Sequence, residues 1–246
     1  MPDSLRIALR LLTRLPVPPP KGHAGETMAA SLAWYPLVGA LLGLLLWALA
    51  ALLEALGIPA LPAAALLLAA WVALTGALHL DGLADMADAW LGGLGDRQRT
   101  LEIMKDPCAG PAGVTAVVLV LLLKFAALAA LATSLQPALL LAPVLARTAL
   151  TALFLTTPYV RPGGMGEALT AAGNRLPHLF IAALAFLPLV FLWPRPALLA
   201  SIAALAVFLW HRHRLLQRLG GTTGDTAGAL VEWTETAVLT GLVFLV

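Results

Sequence analysis

Long apolar runs separated by short polar segments dominate the chain, and this pattern predicts membrane-spanning helices. The runs are built from consecutive Leu, Ala and Val rather than from alternating apolar and polar residues, which favours helices over lipid-facing strands. Seven runs approach the length needed to cross a bilayer, at residues 36–56, 59–79, 112–133, 137–157, 177–193, 196–211 and 228–246. The fifth and sixth are short, so a re-entrant pair is an alternative to two crossings there.

The amino-acid composition leads to the same conclusion. Hydrophobic residues make up 61% of the 246 residues and charged residues 11%, whereas soluble domains average roughly 45–50% and about 25%. The helices leave little chain for a soluble domain. We therefore predict an all-α fold, a polytopic integral membrane helix bundle with about seven transmembrane helices that forms a single domain over residues 1–246.

Lysine and arginine are distributed unevenly among the predicted loops, and this bias predicts the orientation. With a cytoplasmic N-terminus, the loops at 80–111, 158–176 and 212–227 lie inside, and Arg195 is the single outside cation. The inside cations are then Arg6, Arg10, Arg14, Lys21, Arg97, Arg99, Lys105, Arg161, Arg175, Arg212, Arg214 and Arg218. The active face should therefore be cytoplasmic, on a protein surrounded by membrane lipid. The net charge of +2 is too small to indicate nucleic-acid binding.

Three carboxylates stand at spacings of four and three between the second and third apolar runs. On a helix, Asp81, Asp85 and Asp88 share one face. Like charges at this spacing repel each other unless a cation lies among them. Oxygen ligands at helical spacing suit Mg²⁺, which takes one or two carboxylates and completes its shell with water and phosphate oxygens. The alternative is a solvated helix end at the membrane boundary.

Two further segments combine small residues with charge. Gly110 and Gly113 lie at the predicted start of the third span, where exposed backbone N–H groups can bind an anion and Lys105 can add a charge. The last span follows a glycine-rich turn, and Asp225 is the expected N-cap. Glu232 and Glu235 lie inside that span, where acids usually mark a functional interior.

Two spans contain an isolated cation. Lys124 can be interpreted as snorkelling to the membrane surface, whereas Arg147 lies deeper in its span and is better explained by a bound anion. The sequence has no P-loop, no GxSxG elbow and no HExxH, which disfavours the corresponding hydrolases. Acids for a metal, small-residue turns for phosphate and scattered cations together suit phosphoryl transfer.

The chain resembles the cobalamin synthases, the adenosylcobinamide-GDP ribazoletransferases of bacterial cobalamin biosynthesis. The matching stretches follow one another over nearly the whole chain, and they are Leu12–Pro18, Trp34–Gly39, His79–Asp88, Ile103–Asp106 with Gly110 and Gly113, and Gly220–Glu235. The stretches HLDGLADMADA and GGTTGDTAGA are the most specific. The segment Pro107–Ala109 departs from the more polar pattern of the family.

The resemblance implies an Mg²⁺-dependent transferase of the bacterial inner membrane. It would transfer the adenosylcobinamide phosphate moiety of adenosylcobinamide-GDP to α-ribazole, or to α-ribazole 5′-phosphate, and release GMP. In this hypothesis Asp81, Asp85 and Asp88 hold the metal, Lys105 contacts phosphate oxygens, and His79 or an aspartate accepts the hydroxyl proton. Further substrate contacts are expected from Asp106, Gly110, Gly113, Arg147, Gly221, Thr223, Asp225, Glu232 and Glu235.

Two other functions compete with this interpretation. A CDP-alcohol phosphatidyltransferase also binds Mg²⁺ through spaced membrane aspartates, but its pattern requires an Arg that does not follow Asp85 here. A secondary transporter would use the intramembrane charges to bind an ion and a solute, but such proteins show repeated halves. The sequence makes no prediction of the oligomeric state.

Overall fold

The fold is described by a computed structural model that covers residues 1–21, 25–132, 135–170 and 176–245. The described residues form helices and one isolated β-bridge, between Tyr159 and Thr222. The α-helices are α1 (Asp3–Leu12), α2 (Gly25–Ser31), α3 (Tyr35–Ala55), α4 (Ala60–Thr75), α5 (Leu78–Gly92), α6 (Arg97–Ile103), α7 (Pro111–Ala130), α8 (Leu135–Thr156), α9 (Met165–Leu169), α10 (Leu176–Leu192), α11 (Pro194–Leu219) and α12 (Gly224–Leu242). Short 3₁₀ turns at Leu32–Trp34 and Val243–Leu245 precede α3 and follow α12.

The helical bundle confirms the predicted fold class, although fewer helices can span a membrane than the seven expected. All seven predicted runs coincide with helices, namely α3, α4, α7, α8, α10, α11 and α12. Five helical stretches are long and apolar enough to cross, or six if the bent pair α4 and α5 is counted as one span. The short members are α4, with 16 residues, and α10, with 17. Arg175 and the predicted span ends at 133 and 246 lie outside the described residues.

A sharp bend separates α4 from α5. The two helix axes differ by 87°, because Gly76 and Ala77 both adopt left-handed conformations, with φ of 64° and 57°. The side chain of Arg14 lies where a side chain at Gly76 would project. The Arg14 backbone N–H also donates to the carbonyl of Leu74, at 2.7 Å. With only 15 residues, α5 is too short to cross a bilayer by itself, and we treat it as lying outside the spanning segments.

The central helix of the bundle is α8, whose most apolar stretch is 83% buried. It is crossed closely by α3 at two glycines four residues apart. A Cβ at Gly43 would lie 2.6 Å from the carbonyl oxygen of Leu139, and a Cβ at Gly39 would overlap the carbonyl of Pro143. Glycines at this spacing let two membrane helices approach backbone to backbone. The α3–α8 pair therefore depends on the absence of side chains at these two positions.

Two apolar clusters fill the bundle, one toward each end. The first includes Leu12, Tyr35, Leu83, Leu153 and Leu230. The second includes Leu46, Leu67, Leu128, Leu139 and Leu239. The outer surface is also apolar, since α11 exposes more than half of Leu198, Ile202, Leu205 and Leu209 along one face. Such a surface suits contact with lipid.

The glycine crossing generates a stability prediction. Replacing Gly39 by Ala forces α3 away from α8, and such overpacking should cost about 1–3 kcal/mol. The matched control is Gly241→Ala, because the closest described atom to a Cβ there is 3.8 Å away. Thermal unfolding of the purified protein in detergent should show a lower midpoint for Gly39→Ala and an unchanged or higher one for Gly241→Ala. Equal midpoints would contradict the close crossing.

Candidate active site

The predicted acidic helix is present, and its first turns pack against the start of α12. A Cβ at Gly82 would lie 2.7 Å from the carbonyl oxygen of Asp225, so the small residue allows the two helices to touch. Asp81 is exposed, and Asp85 and Asp88 are half-buried. The structure therefore brings together acids from two predicted segments, the 81–88 cluster and the glycine-rich turn before the last span.

Asp88 has a structural partner that the sequence analysis did not anticipate. Its two carboxylate oxygens accept hydrogen bonds from the backbone N–H groups of Gly110, at 2.7 Å, and Gly113, at 2.9 Å. A carboxylate at a helix N-terminus satisfies unpaired donors and interacts favourably with the helix dipole. The expected anion seat at Gly110 and Gly113 is thus occupied by Asp88 itself. This geometry makes Asp88 the cap of α7, and its expected role as a metal ligand stays a prediction.

Asp225 was predicted to be the N-cap of α12, but Thr223 occupies that position. Thr223 and Thr226 form a capping box, in which each side chain accepts a hydrogen bond from the other residue's backbone N–H. The carboxylate of Asp225 is therefore free for a different contact, an ion pair with Arg161 in which Nη1 lies 2.9 Å from Oδ2. Arg161, which the sequence analysis counted only as a topological charge, is thus the cation of the acidic site.

The electrostatics of the cluster centre on Asp85. Partial burial, followed by the carboxylates of Asp81 and Asp225, raises the pKa of Asp85 to about 6, and Arg161 offsets part of this rise. The repulsion shows that the carboxylates lie close enough to interact. Within the described residues, however, no group of three or more His, Cys, Asp and Glu side chains is arranged to hold a metal ion. Mg²⁺ binding by Asp81, Asp85 and Asp88 therefore stays a prediction.

Most of the other residues near the acidic site that were expected to contact substrate make contacts within the protein. Gly221 lies against the carbonyl of Pro158. The neighbouring Thr222 forms the β-bridge, with Thr222 N–H to Pro158 O at 2.8 Å and Val160 N–H to Thr222 O at 2.9 Å. Asp106 accepts the backbone N–H of Cys108, at 2.9 Å. The adjacent Lys105 is exposed.

Three charged helices meet in the middle of the bundle. Lys124 of α7 lies 2.6 Å from Oε2 of Glu232 and 2.6 Å from Oε2 of Glu235, both on α12. Arg147 of α8 pairs with the other oxygen of Glu235. All four side chains are at least 94% buried. We call Lys124, Arg147, Glu232 and Glu235 the buried charge cluster.

The buried charge cluster carries no net charge and lies between the two apolar clusters. Lys124 also places its ammonium 5.3 Å from the ring centroid of Trp71. The interpretation of Lys124 as a snorkelling residue is therefore wrong. The expected substrate contacts of Arg147, Glu232 and Glu235 are not supported by this arrangement, because these groups bind each other inside the protein. The anion that Arg147 contacts among the described residues is the Glu235 carboxylate, and its expected contact with a bound phosphate stays a prediction.

A cavity of about 170 Å³ lies beside the acidic site. Its rim includes His79, Asp81 and Asp225, and its walls include Tyr35, Leu150 and Phe154. His79 is 4% exposed, and its Nδ1 has no hydrogen-bond partner among the described residues. It is also within electrostatic range of the buried charge cluster. Two acids and a histidine thus line one small space, and Arg161 pairs with one of these acids, Asp225. Such an arrangement can bind phosphate groups and accept a proton.

Comparisons with known proteins agree with this chemistry. A family model described as cobalamin-5-phosphate synthase matches residues 4–243. An adenosylcobinamide-GDP ribazoletransferase of Pseudomonas paraeruginosa is 57% identical, over 98% of this chain and 97% of its own. Proteins of the same name from Stutzerimonas stutzeri and Pseudomonas fluorescens are 56% and 55% identical, over 97% and 96% of this chain and 96% and 97% of their own. A comparison with solved structures gives no match.

The buried charge cluster generates a prediction about paired charges. Lys124→Met leaves Glu232 buried with no cation of its own, which should cost about 3–5 kcal/mol. Adding Glu232→Gln restores neutrality, because Arg147 and Glu235 still pair, and should recover much of the stability. Thermal unfolding in detergent of the single and double variants tests this coupling. Additive losses in the double variant would show that the four charges do not act as one unit.

Proposed function

The chain belongs to the cobalamin-5-phosphate synthase family and is a transferase of cobalamin synthesis, and we propose that its reaction takes place where the cavity meets Asp81, Asp85, Arg161 and Asp225. Like its relatives it is an adenosylcobinamide-GDP ribazoletransferase. This assignment excludes the phosphatidyltransferase and transporter alternatives. The observation that carries the location is that Asp81 of α5 and Asp225 of α12 line one cavity, while Arg161 pairs with Asp225 beside it.

The reaction replaces a phosphoanhydride bond by a phosphate ester bond. A hydroxyl oxygen of α-ribazole, or of α-ribazole 5′-phosphate, attacks the phosphorus that carries the adenosylcobinamide group. The phosphoanhydride bond to the second phosphorus breaks, and GMP leaves with the electron pair. Negative charge grows on the departing phosphate oxygens, so the site must supply positive charge there and a group that accepts the hydroxyl proton.

Asp81 and Asp85 suit Mg²⁺ better than the full set of three aspartates does. They are one helical turn apart, and burial, together with the neighbouring carboxylates of Asp81 and Asp225, raises the pKa of Asp85. A magnesium site needs only one or two carboxylates when phosphate oxygens complete the shell. Bound there, Mg²⁺ would neutralise charge on the diphosphate. Asp88 is assigned a supporting role, since it holds the start of α7 against α5.

Arg161 is the protein's own candidate for contacting the diphosphate. Its guanidinium lies 2.9 Å from Asp225, and the side chain remains 33% exposed, so a phosphate can approach it. Planar guanidinium groups bind phosphate through two parallel hydrogen bonds. Lys105, which is exposed and precedes the start of α7 in the chain, remains a second candidate for contacting the diphosphate. Arg147 is instead paired with Glu235. Asp81, Asp85 and His79 are the candidate acceptors of the hydroxyl proton.

The two kinds of aspartate should respond differently to replacement. Asp81→Asn and Asp85→Asn remove charge from the reacting site and should lower GMP release about a hundredfold or more, while raising the Mg²⁺ concentration needed for activity. Asp88→Asn should instead lower stability by about 0.5–2 kcal/mol through the lost cap of α7 and leave the Mg²⁺ dependence unchanged. The measurements are chromatographic assay of GMP against Mg²⁺ concentration and thermal unfolding.

The contrast with Asp88→Asn serves as the internal control for that series. All variants are compared at matched expression and matched size-exclusion profile. If Asp88→Asn shifts the Mg²⁺ dependence as much as the other two variants do, Asp88 also belongs to the metal site. Unchanged rates for Asp81→Asn and Asp85→Asn would refute the proposed location.

We also propose that the protein lies in the bacterial inner membrane, with the end that holds the acidic site facing the cytoplasm. The cations of α1, α6 and α11 support this orientation by the positive-inside rule. In a Cys108→Ala background, Gln98→Cys should be protected from an impermeant thiol reagent added to intact spheroplasts, and Leu56→Cys should be labelled. Both positions are exposed on the protein, so accessibility reports sidedness. Labelling at position 98 and not at position 56 would show that the topology is the reverse of the one proposed.

A further inference from the structure

The cavity beside the acidic site has a shape and lining that specify its occupant. Apolar walls come from four elements, with Leu11 and Leu12 on α1, Tyr35 on α3, Leu150 and Phe154 on α8, and Leu169 on α9. The Tyr35 hydroxyl is already hydrogen-bonded to Ser31. The other ionisable side chains of the lining come from α5 and α12 and are His79, Asp81 and Asp225. The cavity is therefore an apolar slot with a charged mouth.

We propose that this cavity binds the planar aromatic base of the acceptor nucleoside, with Nδ1 of His79 donating a hydrogen bond to the free ring nitrogen of the base. The proposal rests on the proposed function, because the acceptor is ribazole, a nucleoside whose base is a benzimidazole. It extends that function by separating the acceptor subsite from the diphosphate subsite. His79 becomes a binding residue, and the role of proton acceptor passes to Asp81 or Asp85.

The size of the cavity selects the ligand group. An engineered apolar cavity of about 150 Å³ in another protein stays dry and binds benzene. The 170 Å³ space here is slightly larger and suits a flat ring system of one or two fused rings once side chains adjust. The corrin ring of the other substrate is far too large to enter. It must remain outside the cavity.

The polarity of the lining distinguishes the acceptor base from the guanine of adenosylcobinamide-GDP. Guanine has hydrogen-bonding groups around most of its edge, and burying these groups without partners is costly. A benzimidazole base joined to its ribose offers one free ring nitrogen. The described lining offers one matching buried group, since His79 is 4% exposed and Nδ1 has no partner among the described residues. The match favours the acceptor base over guanine.

The position of the cavity also suits the chemistry. Asp81 and Asp225 belong both to its rim and to the acidic site. A base held between Leu150 and Leu11 would therefore leave its attached ribose at the mouth, among the carboxylates. The attacking hydroxyl would then be delivered toward the diphosphate.

Two independent measurements test the proposal. Equilibrium dialysis of a radiolabelled benzimidazole nucleoside against the full-length protein in detergent reports binding without turnover. Steady-state GMP release gives a separate KM for each substrate. Leu150→Phe and Leu11→Trp, which fill the cavity from α8 and α1, should weaken nucleoside binding and raise its KM at least tenfold. The KM for adenosylcobinamide-GDP should change less than twofold.

Matched controls carry the same substitutions on the lipid-facing side of α7. Leu123 and Leu122 are 49% and 57% exposed, so Leu123→Phe and Leu122→Trp should leave both KM values unchanged. Leu150 is 4% exposed, so its replacement by Phe can disturb folding. The variant at the partly exposed Leu11 tests the cavity without that difficulty. A rise in the KM for adenosylcobinamide-GDP with no effect on the nucleoside would overturn the proposal and assign the cavity to guanine.

The hydrogen bond from His79 is tested with an altered ligand. An indole nucleoside has the same shape but lacks the free ring nitrogen, so the wild-type protein should bind it at least tenfold more weakly than the benzimidazole nucleoside. In His79→Phe this preference should disappear. Retained discrimination in that variant would refute the role of His79. If wild-type protein binds the nucleoside but releases no GMP, the proposed function fails while the subsite stands.

Discussion

The pairing of four buried charges inside a membrane bundle is the interaction on which the rest of the structure depends. An unpaired charge at the centre of a membrane helix costs at least about 2.5–3.5 kcal/mol. Lys124, Arg147, Glu232 and Glu235 avoid this cost because two cations and two anions share one layer. The layer can form in one register of α7, α8 and α12 only. The charged layer therefore sets the relative positions of these three helices along the bundle axis, at the depth between the two apolar clusters.

Once the register of these helices is set, their polar ends meet at one face. Asp88 caps α7 through Gly110 and Gly113, and Thr223 caps α12. Each cap satisfies backbone groups that would otherwise be unpaired. The carboxylates that are not used for capping, Asp81, Asp85 and Asp225, remain available beside Arg161. The site is thus built from two sets of acids, one that fixes helix ends and one that faces the cavity.

Much of this organisation could be predicted from the sequence, and the limits have a physical cause. Apolar runs and helical spacing are local, so the helices and the shared face of Asp81 and Asp85 followed directly. The partners of Asp88, Asp225 and Lys124 lie 22 or more residues away in the chain, and no local pattern reveals them. Arg161 was missed for the same reason. The bend at Gly76 and Ala77 was also missed, since an alanine in a left-handed conformation has no sequence signal.

The most direct test of the account is a cryo-electron microscopy structure of the wild-type protein with Mg²⁺ and adenosylcobinamide-GDP. The account predicts diphosphate density between Arg161 and the Asp81–Asp85 pair, with the metal on the carboxylate side and Asp88 still bound to Gly110 and Gly113. Density for the diphosphate at the opposite end of the bundle, or at the start of α7 with Asp88 displaced onto the metal, would contradict it.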